Sequence, residues 1–140
     1  MKIVVMDGQG GRLGQKLVES IKKAMPDIYL LAIGTNSTAT EKMLKSGADA
    51  AATGENAAIV ACRTADLIVG PLGIVMADAL LGEITPRMAA AVASSAAARI
   101  LIPMNLCDTY VAGVNLPPAA VVQDAIARLQ EMINEGPRHA

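Results

Sequence analysis

The residues best suited to chemistry are Asp7-Gly8-Gln9-Gly10-Gly11-Arg12-Leu13-Gly14, a glycine-rich run that follows the apolar segment Ile3 to Met6. Glycines permit a tight turn and let backbone N–H groups approach a ligand closely, and the start of a helix adds a partial positive charge. A phosphate fits such a turn without a lysine. The spacing is G-x-x-G-x-x-G at Gly8, Gly11 and Gly14, and it departs from G-x-G-x-x-G, so it is a variant of the dinucleotide fingerprint. A plain βα turn that binds nothing has the same appearance.

A dinucleotide site also calls for an acid near the end of the second strand, where it accepts hydrogen bonds from a ribose diol. The chain instead offers Gly34-Thr35-Asn36-Ser37-Thr38. These neutral groups suit a 2′-phosphate, which favours NADP over NAD, or else a ligand that is not a dinucleotide; capping of the next helix explains them equally well. Three further loops are expected at the same edge of the sheet: Gly54-Glu55-Asn56, Gly70-Pro71-Leu72-Gly73, and the segment from Pro103 to Asp108 with Asn105. Ordinary helix starts and strand-to-helix turns account for the first two without a ligand.

Catalytic groups are few. The only histidine is His139, close to the end of the sequence, so a histidine base within the crevice of one chain is not expected. Asp7, Glu55 and Asp108 are the carboxylates within reach of that edge, and Cys107 is the thiol. Asp7 reads first as a turn-shaping residue and Cys107 as a small buried hydrophobe. No spacing of metal ligands is recognisable.

The elements that must position these residues alternate. Ile3 to Met6 reads as a strand buried on both faces. Leu13, Leu17, Val18 and Ile21 give a helix stopped by Pro26. Strands are expected over Ile28 to Ile33, Ala48 to Thr53, Leu67 to Gly70 and Arg99 to Ile102. Helices are expected after a capping box at Thr38 to Glu41, over Glu55 to Ala65, as a short piece from Gly73 to Gly82, and from Thr85-Pro86 with Met88, Val92 and Ala96 inward. Val111 to Val114 follows too soon for a crossover helix and predicts an antiparallel sixth strand at the edge. A final helix after Pro117-Pro118 carries Val122, Ile126, Leu129 and Ile133, and ends at Gly136.

The pattern predicts a doubly wound, mostly parallel α/β sheet in the order 3-2-1-4-5, with the sixth strand antiparallel and helices on both faces. One domain over residues 1–136 and a short tail at 137–140 suit 140 residues. Twelve Lys and Arg against thirteen Asp and Glu leave a net charge of -1 with no basic block, so nucleic acid is not an expected partner. Two tyrosines, without Phe or Trp, give little for stacking a base or a flavin ring. Cys62 and Cys107 form no C-x-x-C, no signal segment opens the chain, and the uncharged stretch Leu67 to Ala77 is too short for a bilayer, so a cytoplasmic protein without a membrane helix is expected. Hydrophobic residues make up 53%, and the small-residue segments Ala89 to Ala98 and Met76 to Leu81 suggest a homo-oligomer.

Taken together, Asp7-Gly8-Gln9-Gly10-Gly11, Leu31 to Asn36, Ala52 to Asn56, Ile68 to Ile74, Leu81-Gly82-Glu83-Ile84-Thr85-Pro86 and Ile100 to Asn105 resemble a family of short bacterial Rossmann-like proteins known as a domain of unknown function. That resemblance runs nearly end to end and implies the fold and possible nucleotide binding, with no catalytic residues. Gly8 to Gly14 alone is similar to the nucleotide turn of dihydrodipicolinate reductases, with Leu13 in place of a methionine. Those enzymes carry a substrate domain for which 140 residues leave no room, so the likeness implies the turn and not the activity.

The leading expectation is a nucleotide-binding protein, for NADP or NAD, that senses its ligand or acts with a partner. An oxidoreductase or transferase completed across a homo-oligomer interface, with Glu55, Asn56 or Asn105 over the substrate, is the alternative. A non-catalytic assembly protein with an empty crevice is the third.

Overall fold

The computed structural model describes residues 1–104 and 108–136. Five strands form one parallel sheet: β1 (Lys2–Asp7), β2 (Tyr29–Gly34), β3 (Ala50–Thr53), β4 (Leu67–Pro71) and β5 (Ala98–Ile102), in the order β3-β2-β1-β4-β5. Five helices connect or follow them: α1 (Arg12–Ala24), α2 (Ser37–Lys45), α3 (Glu55–Thr64), α4 (Pro86–Ser94) and α5 (Pro118–Glu135). The fold is Rossmann-like, as the alternation of elements requires.

β1 is central because its side chains bury on both faces. Ile3 and Val5 join Leu17, Val18 and Ile21 of α1, Ala39 and Met43 of α2, and Val122 and Leu129 of α5. Val4 and Met6 point the other way, to Ala58 and Cys62 of α3 and Met88 and Val92 of α4. The period of two along the strand thus divides the interior into two apolar layers. Each fully buried aliphatic side chain in them contributes about 1.5–3 kcal/mol.

The strand order reverses between β1 and β4, and in open sheets of this kind that reversal opens a crevice beyond the carboxyl ends of the two strands. Gly70 permits the close approach there, since a Cβ on it would run into the Met6 carbonyl oxygen. Beyond the ends of the strands, the Thr35 N–H donates to the Asp7 carbonyl at 3.0 Å and the Gly54 N–H to the Gly34 carbonyl at 2.9 Å, which continues the ladder.

Four local readings of the sequence are corrected. Val111 to Val114 forms no sixth strand: Gly113, at φ 82°, turns the chain, Val114 N–H points back to the Val111 carbonyl, and the prolines that start α5 follow too closely for a ladder. The cap of α2 is the Asn36 side chain, which accepts from Ala39 N–H at 2.9 Å, so the helix begins before Thr38. Residues 73–82 are not one helix. A single 3-10 turn, Leu72–Val75, gives way to a strap in which Asp78, Leu80, Leu81 and Gly82 all have positive φ. Thr85 and Pro86 do open α4, with the Thr85 hydroxyl accepting from Met88 N–H, but Ala96 lies beyond the end of that helix and is exposed. The expected tail at 137–140 lies outside the described residues.

Candidate functional site

The glycine turn is shaped from beneath by Asp7, the last residue of β1. Its Oδ1 accepts from Gly8 N–H at 2.8 Å and its Oδ2 from Gly14 N–H at 2.7 Å. Gly14 is the third residue of α1, so the carboxylate caps the helix across the whole turn. Gly11 N–H closes the turn onto the Gly8 carbonyl at 2.9 Å. Burial pushes the Asp7 carboxyl above its ordinary range; donation from Gly14 and Gly8 opposes this, and the nearby charge of Glu83 adds to it.

Three of the four glycines are required by packing. A side chain on Gly8 would meet the Thr35 hydroxyl, one on Gly11 would lie 2.7 Å from Ala39 Cα, and one on Gly14 would lie 2.8 Å from Asp7 Cβ. Gly11 also has φ 72°, where L-residues are strained. Gly10 is different: a Cβ there would meet nothing within 4 Å, and its φ is not positive. No neighbour among the described residues explains its lack of a side chain.

Gly10 faces a cavity of about 200 Å³, lined by Asp7 to Leu13, Pro71, Leu80 and Met104. The cavity lies where the strand order reverses. Gly8, Gln9 and Gly14 donate their N–H groups to carboxylates, whereas those of Gly10, Arg12 and Leu13 have no acceptor among the described residues. Arg12 lines the same space, is exposed, and makes no ion pair among the described residues. Three open amides and a guanidinium on one wall can hold a multivalent oxyanion such as a phosphate.

On the β2 side of the turn stands Glu83, an acid that reasoning from the sequence did not select. Its Oε1 accepts from Asn36 Nδ2 at 2.6 Å, Thr35 Oγ1 at 2.7 Å and Gln9 N–H at 3.1 Å. Asn36 Nδ2 also donates to the Gln9 carbonyl at 2.9 Å. The strap from Met76 to Thr85 delivers Glu83, and its turns are closed by Asp78 N–H to the Ile84 carbonyl, Ile84 N–H to the Ala79 carbonyl and Glu83 N–H to the Leu80 carbonyl. Ile84 is buried beneath it. Partial burial alone would raise the Glu83 carboxyl, but the hydrogen bonds from Thr35, Asn36 and Gln9 outweigh it and hold the group below its ordinary range. The signal available was the acid within Leu81-Gly82-Glu83-Ile84-Thr85-Pro86. Its destination was not readable, because it depends on four left-handed residues in the strap.

The other selected residues divide. Pro71 joins the cavity wall with the glycine turn, while Thr35 and Asn36 anchor Glu83. Gly34 packs against Thr40, Gly73 lies beneath Ala79 and Leu80, and Leu72 lines a separate groove between β5 and α5. Gly54, Glu55 and Asn56 start α3 away from the cavity wall, and Glu55 pairs with Arg87 at 3.3 Å. Asn105, Cys107 and His139 lie outside the described residues. Among the described residues no cluster of three or more His, Cys, Asp or Glu could hold a metal ion. Met104 lines the cavity from the loop after β5 that was expected at this edge, and Leu80 is a cavity residue that the motif search missed.

Residues 2–134 match the model of the family described as Domain of unknown function (DUF3842). The chain belongs to this family. No curated protein matches it. Among solved structures it is similar in fold to the dodecameric FMN-dependent UbiX-like decarboxylase from Escherichia coli O157:H7, with a TM-score of 0.54 and 20% identity over 100% of this chain and 99% of the other. At that identity the likeness concerns the fold. No helix among the described residues is long and apolar enough to cross a membrane.

Two stability predictions follow from the packing and the hydrogen bonds. Gly14→Ala should cost about 1–3 kcal/mol through overpacking, whereas Gly10→Ala should be neutral or stabilising by up to about 1 kcal/mol; urea denaturation of both variants measures the contrast. Glu83→Ala leaves three donors without their acceptor and should cost about 1–3 kcal/mol at pH 7. Because the folded carboxyl lies below its unfolded value, this contribution is present above the unfolded pKa of about 4.3 and is lost as pH falls through the lower folded value. The stabilities of the native protein and of Glu83→Ala should therefore converge in acid.

Proposed function

We propose that this protein binds a phosphate-bearing nucleotide at the glycine turn, in a sensing or partner-dependent role. The observation that carries the reading is Gly10, which lines the cavity and whose missing side chain no described residue requires, flanked by the open amides of Arg12 and Leu13. The cavity has room for the phosphate portion, and the rest of the ligand lies along the crevice at the carboxyl ends of the strands. Within the fold class, NAD or NADP is the finer candidate. The FMN dependence of the decarboxylase with a similar fold supports a nucleotide-type ligand and adds FMN to the ligands worth testing.

Isothermal titration against NADP, NAD, ATP and FMN tests the proposal. At least one should bind saturably, and Gly10→Asp should weaken it at least tenfold, about 1.4 kcal/mol, by setting a carboxylate against the phosphate. No binding by any of the four to the folded protein would sink it.

Self-association is proposed with it. Leu81 at the tip of the strap is 94% exposed, Leu116 and Val114 are exposed beside β5, and the outer edge of β5 is unpaired among the described strands. The protein of similar fold is dodecameric, which supports the same reading. Light scattering at micromolar concentration should give a mass above that of one chain; a monomer overturns it.

A further inference from the structure

We propose that Glu83 reads the sugar of the bound nucleotide, its outer carboxylate oxygen accepting from an unmodified ribose 2′,3′-diol and turning away a 2′-phosphate. This inference rests on the nucleotide reading of the glycine turn and deepens it.

Dinucleotide sites in doubly wound sheets place an acid near the end of the second strand, where it accepts from the ribose hydroxyls. In this chain β2 ends at Gly34 and Thr35-Asn36 follow it, with no acid, and the neutral groups there suggest a site open to a 2′-phosphate. The structure closes that opening from another direction. Glu83 arrives from the strap and docks on the two residues that follow β2 and on Gln9 of the glycine turn. The acid missing from β2 is thus supplied from a position 48 residues beyond Thr35.

The way it docks matters. All three donors converge on Oε1, and Oε2 has no partner among the described residues. Glu83 is only half-buried, and no buried side-chain oxygen among the described residues lacks a partner, so Oε2 is open to solvent. A carboxylate has acceptor capacity on both oxygens. One anchors the side chain; the other is presented beside the turn that holds the phosphate. A hydroxyl donor satisfies Oε2, whereas a 2′-phosphate brings only acceptors and about two negative charges against it. Gln9, Thr35 and Asn36 are committed to Glu83, and Arg12 stands on the wall of the cavity formed by the turn.

Titration with NAD and NADP, which differ by the 2′-phosphate alone, tests the assignment on the full chain. The native protein should bind NAD at least tenfold more tightly than NADP. Glu83→Gln keeps a carbonyl oxygen for the three donors and replaces Oε2 with an NH2 group, so it should weaken NAD and bring the two affinities within about threefold. Equal affinities in the native protein, or an unchanged ratio in Glu83→Gln, overturn the inference, and the first of these decides even if the variant does not fold. The nucleotide reading fails separately. If Gly10→Asp leaves NAD binding intact while the ratio still depends on Glu83, the phosphate assignment falls and the sugar contact stands. If Gly10→Asp abolishes binding and the ratio ignores Glu83, only the sugar contact falls. If neither dinucleotide binds, the assignment of Glu83 is overturned, and ATP or FMN binding then decides whether the phosphate reading survives.

Discussion

The bridge from the Asp7 carboxylate to Gly8 and Gly14 N–H is the interaction on which the site depends. It joins the end of the central strand to the first turn of α1, fixes the span of the glycine turn between them, and satisfies one of the donors a helix start leaves open. Ionisation of a carboxyl at such depth is opposed by lost hydration, and the two amides return only part of it. The same contact explains why Gly14 must lack a side chain, since the strand and the helix approach each other across its Cα. Core burial holds the two elements together; Asp7 sets the angle at which they meet.

Glu83 plays the corresponding part from above. Its oxygen gathers Gln9 of the turn with Thr35 and Asn36 of the next loop, so two segments distant in sequence share one acceptor supplied by a third. Asn36 at once caps α2, bonds the Gln9 carbonyl and donates to Glu83. The turn is thus clamped between two carboxylates that approach different amides. The charge of Glu83 adds to the rise at Asp7, while at Glu83 itself direct hydrogen bonds outweigh the cost of partial burial.

The sheet was legible because strands and helices are written in local periods. Ile3 to Met6 announces a strand buried on both faces, and Thr85-Pro86 announces a helix start, and both elements stand where those residues put them. The strap was not legible. Asp78, Leu80 and Leu81 adopt left-handed backbone despite carrying side chains, a conformation that local propensity opposes and that the surrounding hydrogen bonds impose. Val111 to Val114 has the composition of a strand, but Gly113 bends it away from the sheet. Glu83 was hidden for the same reason as the strap, since an acid 48 residues from its partner leaves no periodic trace.

Glycine spacing carries less functional weight than it first suggests. Gly8, Gly11 and Gly14, the residues that make the fingerprint, are each accounted for by Thr35, Ala39 and Asp7 pressing on the turn, and a protein that bound nothing would need them as much. Gly10 lies outside that spacing, and no contact with a described residue requires it. The amides beside it divide in the same way. Those of Gly8, Gln9 and Gly14 already serve the protein's own carboxylates, and those of Gly10, Arg12 and Leu13, residues that line the cavity, have no acceptor among the described residues. A turn that holds two internal anions shows that its N–H groups are arranged for negative charge. The remaining three are the amides on which the proposed phosphate contact rests.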